Sequence, residues 1–153
     1  MAKLKLYNDK VIADWIDYNG HLSEAFYVLT FGFATDALYD YLGMGPNYRE
    51  KTNCSVYTLE SHIRYLDEVP MGSEMQFETQ IISFDAKRLH FIHEMFVEGR
   101  LRATTELMGL HLDTSENGGV KLFPESVVEK LQGLVAAEIP DYVGRSVMKL
   151  KGI

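Results

Sequence analysis

Hydrophobic and polar positions alternate along three stretches of this chain and run together in a fourth. Across residues 74–84, Met75, Phe77, Thr79 and Ile81 share one side, and Glu74, Gln76, Glu78 and Gln80 share the other. Across residues 88–97, Leu89, Phe91, His93, Met95 and Val97 fall on one side. Residues 54–66 alternate as well, with Tyr57, Leu59, Ile63 and Tyr65 opposite Val56, Thr58, Glu60, His62 and Arg64. A period of two predicts strands with one buried face. Residues 101–113, after the Glu98-Gly99 turn, predict another strand. With Pro70-Met71-Gly72 as a further turn, the four strands read as an antiparallel meander.

The unbroken apolar run lies nearer the start. Residues 24–42, EAFYVLTFGFATDALYDYL, predict a helix with Ser23 as N-cap and Gly43 as its stop, followed by Gly45 and Pro46. Its first half is apolar on nearly every side (Ala25, Phe26, Val28, Leu29, Phe31, Phe33), which predicts a helix buried all round. Asp36 and Asp40 interrupt a stretch barely long enough for a membrane span, so no membrane association is expected. Ahead of it, residues 10–17 read as a strand ending at the turn Tyr18-Asn19-Gly20. After the last strand come a loop over residues 116–119 and a short helix over residues 124–134, with Val127, Val128 and Leu131 on its apolar side. The tail, residues 140–153, carries Arg145, Lys149 and Lys151 without a clear period. The order predicts an α+β fold in which one long central helix is wrapped by a curved antiparallel sheet of about five strands. An open sheet edge predicts pairing across a two-fold axis, hence a homodimer or, built from it, a homotetramer.

Composition narrows the function classes. The 153 residues, 46% hydrophobic and 24% charged, suit a single domain over residues 1–153, with a core over about 8–135 and a tail over 136–153. A formal charge of −7 repels phosphate backbones, so nucleic-acid binding is not expected. One cysteine, Cys54, allows no internal disulfide, and the N-terminus lacks a secretory pattern; a cytoplasmic location is expected. His62, His90, His93 and His111 form no ligand set with metal spacing, so no metal is expected. Gly-rich phosphate loops and a Gly-x-Ser-x-Gly elbow are absent, and Cys54 has no evident base partner.

The segment Asp17-Tyr18-Asn19-Gly20-His21-Leu22, followed by a long apolar helix, resembles the active-site turn of hotdog-fold acyl-CoA thioesterases of the 4-hydroxybenzoyl-CoA thioesterase branch. That branch carries an Asp, two intervening residues, a Gly and then His or Ile before the helix. His62-Ile63-Arg64-Tyr65-Leu66 is similar to its second strand. DWIDYNGHLSEAFYVLTFGFATDAL and SVYTLESHIRYLDEV look closer still to the betainyl-CoA thioesterases of bacterial carnitine breakdown. That group has Asn or a hydrophobic residue where this chain has Ser23 and Glu24. The resemblance implies a hotdog fold over roughly residues 8–135, and hydrolysis of a short acyl-CoA, betainyl-CoA in particular, to free acid and coenzyme A. Coenzyme A is then part of the substrate, and no separate cofactor is expected.

In that frame Asp17 activates water or attacks the thioester carbonyl, and the backbone N–H near Glu24, at the amide-rich start of the helix, polarises the carbonyl. The plainer reading is that Asp17 caps the Asn-Gly turn. His21 either orients Asp17 or substrate, or holds the loop; Asn19 and Gly20 form the turn and border the substrate. Trp15, Tyr18 and Tyr27, with Asp14 and Glu24 nearby, are candidates to cage a quaternary ammonium group, or are simply packed rings. Arg64, Lys87 and Arg88, with Arg145 and Lys149, are candidates for the coenzyme A phosphates. Two other readings stay open. An enoyl-CoA hydratase on the same fold resembles Asp-x-Asn-x-x-His, but His21 comes one residue too soon for it. A non-catalytic module would bind an acyl ligand and would not need Asp17.

Overall fold

The structure, a computed structural model, describes residues 3–150. Five strands and three helices follow one another as β1 (Leu4–Lys10), α1 (Glu24–Leu42), α2 (Pro46–Thr52), β2 (Cys54–Tyr65), β3 (Glu74–Phe84), β4 (Arg88–Val97), β5 (Arg100–Asp113) and α3 (Glu125–Leu134). The strands form one sheet in the order β1-β3-β4-β5-β2, every neighbouring pair antiparallel. β3, β4 and β5 make the expected meander. β2 does not join it beside β3: it pairs with the far side of β5, and β1 takes the place next to β3. The Pro70-Met71-Gly72 turn is therefore a crossover and not a hairpin.

α1 lies across one face of this sheet. Phe31 and Ala34 pack with Phe77, Met75, Met95 and Ala103, and Leu38 and Leu42 pack with Ile81, Leu89, Phe91 and α3's Leu131. Burying a side chain such as Phe91 or Phe77, both almost fully enclosed, is worth about 1.5–3 kcal/mol. Between the two clusters His93 ties helix to sheet. Thr35 donates its hydroxyl to Phe31 O, so it accepts from His93 Nε2 at 2.9 Å, and Thr79 donates to Nδ1 at 2.7 Å. Complete burial lowers the His93 pKa to about 3, which keeps the ring neutral. The outer face of the sheet carries a smaller cluster. Tyr142, from the C-terminal segment, covers Ile82 and Ile92 there, and its hydroxyl donates to Glu94 Oε1 at 3.2 Å.

Four further expectations need correction. Residues 10–17 are not a strand: β1 ends at Lys10, and Ala13–Trp15 is a single 3-10 turn. A register shift between Leu4 and Tyr7 hides the period of the true strand. Pro46 does not simply lie beyond the stop at Gly43; it opens α2, a helix not expected there, where a missing N–H costs nothing. α1 is not buried all round, since Val28, Leu29 and Phe33 remain exposed. The faces of β2 are not constant: Leu59 is an extra residue between the pairs Thr58↔Gly109 and Glu60↔Met108. Before this bulge Cys54 and Val56 point inward and Tyr57 outward; beyond it Ile63 packs into the core.

Candidate active site

The loop between β1 and α1 is pinned at both ends before it reaches the helix. Ile16 bridges to Leu22, and Asp17 N–H donates to His21 O at 3.1 Å. Gly20, at φ +83°, lets the chain turn back so that its N–H reaches Asp17 O at 3.0 Å. Asn19 N–H donates to Asp17 Oδ1 at 2.8 Å. The carboxylate thus braces its own turn with one oxygen, as the plainer reading holds, and still lines a cleft. Ser23 N–H donates to Trp15 O at 2.9 Å, which sets the entry of α1. Ser23 makes no side-chain cap, so its hydroxyl leaves the first amides of the helix unbonded.

Asp17, Asn19, His21, Leu22, Glu24 and Tyr27 share this cleft, about 730 Å³ in volume, with residues 65–68. Tyr27 and Tyr65 meet edge to face, 5.0 Å between centroids at 82°, and Tyr27 Oη donates to Asp67 O at 3.3 Å. Burial raises the pKa of both phenols, and Glu24 raises that of Tyr65 further, so the carboxylate acts on that ring. The 66–68 segment is held by Arg102. Its carbonyl accepts from Leu66 N–H and Asp67 N–H, and its guanidinium donates to Glu68 O at 2.5 Å.

Other candidates fall elsewhere. His21 pairs with Glu68 at 3.1 Å and not with Asp17. Trp15 stacks on Phe26 at 5.8 Å, and Tyr18, 98% exposed, projects from the turn; neither lines the cleft. Arg64 lies over the Tyr142 ring at 4.2 Å and donates to Thr104 Oγ1, on the outer face of the sheet. Lys87 and Arg88 sit in the β3–β4 turn, where Asp85 accepts both their N–H groups and pairs with the Arg88 guanidinium at 2.6 Å. Those bonds, the Lys87 N–H foremost, hold the Asp85 pKa at about 2. None of these three cations lines the cleft. Tyr65, Asp67 and Glu68 were not singled out from sequence. The Asp-Glu pair directly after an aromatic strand end was the available signal. Among the described residues, no group of three His, Cys, Asp or Glu side chains is arranged to hold a metal, and no helix is long and apolar enough to cross a membrane.

A carboxylate beside uncapped helix amides can generate a nucleophile and hold a developing oxyanion. The sequence profile described as the thioesterase-like superfamily matches residues 11–131. This chain belongs to that superfamily. Its five-stranded antiparallel sheet around a long helix is the hotdog fold of these thioesterases. A betainyl-CoA thioesterase of Pseudomonas aeruginosa is 36% identical over 148 residues, 93% of this chain and 92% of that protein. An L-carnitine dehydrogenase/betainyl-CoA thioesterase of Agrobacterium fabrum is 38% identical over 152 residues; the match takes in 97% of this chain but 31% of that longer protein. A Staphylococcus aureus protein solved in complex with CoA superposes with a TM-score of 0.86 at 25% identity, covering 98% of each chain. The chain is an acyl-CoA thioesterase.

Proposed function

We propose that this thioesterase hydrolyses betainyl-CoA to glycine betaine and coenzyme A. The observation that carries the reading is the meeting of Asp17, the first amides of α1, two tyrosines and further carboxylates in one cleft, which suits a small cationic acyl group. In the proposed reaction Asp17 takes a proton from water as the water oxygen bonds to the thioester carbonyl carbon. The N–H at Glu24 donates to the oxyanion of the tetrahedral intermediate. The C–S bond then breaks, the carbonyl re-forms, and the proton held by Asp17 passes to the departing sulfur. The same geometry allows direct attack by Asp17 to give a mixed anhydride that water cleaves. Single turnover in ¹⁸O-water tests the second route: label enters the Asp17 carboxylate only when water cleaves the anhydride at the Asp17 carboxyl carbon, and such label would establish direct attack.

The nucleotide end of coenzyme A belongs outside this acidic cleft, and Arg64, Lys87, Arg88, Arg145 and Lys149 remain the cations proposed for its phosphates. A homodimer is part of the same reading: β2 is an edge strand of twelve residues, with Tyr57, Leu59 and Tyr65 exposed, and the exposed Val28 of α1 lines a groove with β2's Val56 and Thr58. Cytoplasm, where a free thiol such as Cys54 persists, is the proposed location. Thiol release from betainyl-CoA is the direct test. Steady turnover is expected, with water addition to crotonyl-CoA absent; hydration of crotonyl-CoA without thiol release would overturn the proposal.

A further inference from the structure

We infer that the Glu24 carboxylate, with the Tyr65 ring braced by Tyr27, is the surface that selects a quaternary ammonium acyl group in this cleft. The inference rests on the proposed betainyl-CoA reading and assigns its specificity to side chains. The cleft holds four carboxylates, and three of them are already engaged. Asp67 pairs with Arg100 at 2.5 Å and lies 3.7 Å from Arg102. Glu68 pairs with His21 at 3.1 Å. Asp17 accepts the Asn19 N–H and is assigned to the chemistry. Glu24 has no ion pair among the described residues and lines the same cleft as Tyr65.

The chemistry of the acyl group fits this arrangement. A trimethylammonium group donates no hydrogen bond, and it is held by aromatic surface and by a carboxylate that need not touch it. In a betainyl thioester one methylene separates the nitrogen from the reacting carbonyl. The cation must therefore lie beside whatever holds that carbonyl. Glu24 supplies both parts: its N–H faces the oxyanion, and its side chain starts from the same residue. Tyr27 follows three residues on, so it shares that side of the helix. Tyr65 meets it from the end of β2 at 82°; Tyr27 is buried (4% exposed) and braces the Tyr65 ring, about half of which (48%) stays exposed to the cleft. Trp15 and Tyr18 do not line the cleft.

The test compares betainyl-CoA with 3,3-dimethylbutanoyl-CoA, in which carbon replaces the charged nitrogen. Wild type, Glu24→Gln, Tyr65→Phe and Tyr65→Leu are assayed as the full chain. Glu24→Gln keeps the backbone N–H and removes the charge. The ratio of kcat/KM for the cationic ester to that for the neutral one is expected to fall on the order of tenfold or more in Glu24→Gln, and severalfold in Tyr65→Leu. Tyr65→Phe keeps the ring face and is expected to retain most of the ratio. An unchanged ratio in Glu24→Gln overturns the inference. If the wild type cleaves neither ester, the hydrolytic reading fails by itself, and calorimetric titration with glycine betaine decides the inference. Binding weakened by Glu24→Gln supports it, and no binding to the wild type overturns it.

Discussion

Asp17 commits one carboxylate oxygen to the Asn19 N–H and leaves the other for chemistry. Asn at this position keeps an oxygen for that bond, so Asp17→Asn removes the charge without releasing the turn. Turnover is expected to drop by about 10²–10⁴-fold, with the circular dichroism spectrum and melting temperature close to wild type. Near-normal thiol release would mean that the carboxylate is only a turn brace. His93 makes a different kind of prediction. Above pH 6.5 the ring is neutral in both folded and unfolded chains and adds no slope. Between pH 6.5 and about 3 the unfolded chain takes up a proton that the folded one refuses. Stability therefore declines as pH falls through this window, by up to about 1.4 kcal/mol per pH unit from this group. Urea midpoints between pH 7 and pH 4 are expected to fall less steeply in His93→Gln, although that variant starts from a lower value because Thr35 and Thr79 lose a fitted partner. Equal slopes in the two proteins would refute it.

At the scale of elements, β2 and β5 meet around a single close approach. A Cβ on Gly109 would sit 2.8 Å from Val56 Cγ1 and 3.1 Å from the Tyr39 hydroxyl. Val56 is β-branched and buried, so it cannot swing aside. Gly109→Ala is expected to cost about 1–3 kcal/mol in chemical denaturation, and tolerance without loss would show that β2 yields there. The bulge beside it also explains what the sequence could and could not disclose. β3 and β4 were legible because their inward residues, Met75 to Ile81 and Leu89 to Val97, keep a strict period over most of their length. α1 was legible because Ser23 and Gly43 bracket it. β2 alternates on paper without a break, yet Leu59 shifts the period by one, and single-residue insertions leave no mark in composition. The cleft was half legible. Asp17, Asn19, His21, Glu24 and Tyr27 lie together in one loop and one helix turn, whereas Tyr65, Asp67 and Glu68 arrive from the far edge of the sheet. Only the β2–β5 pairing and Arg102 bring that edge into place.

For the whole molecule, the exposed edge of β2 is the feature that asks for a partner. Sedimentation is expected to give twice the chain mass, and Tyr57→Lys combined with Leu59→Lys is expected to give the monomer, since charge on an edge strand opposes pairing. A single mass for both proteins would exclude β2 as the interface. The acidic cleft and the C-terminal segment lie on opposite sides of the sheet: Glu24 and Tyr27 belong to the helix side, and Tyr142 covers Ile82 and Ile92 on the other. That separation has a practical side. A sensor surface or resin coupled through a cysteine introduced at Met148, which is 89% exposed, would leave the mouth of the cleft facing the solution. The same coupling at Tyr18 would press that mouth against the support.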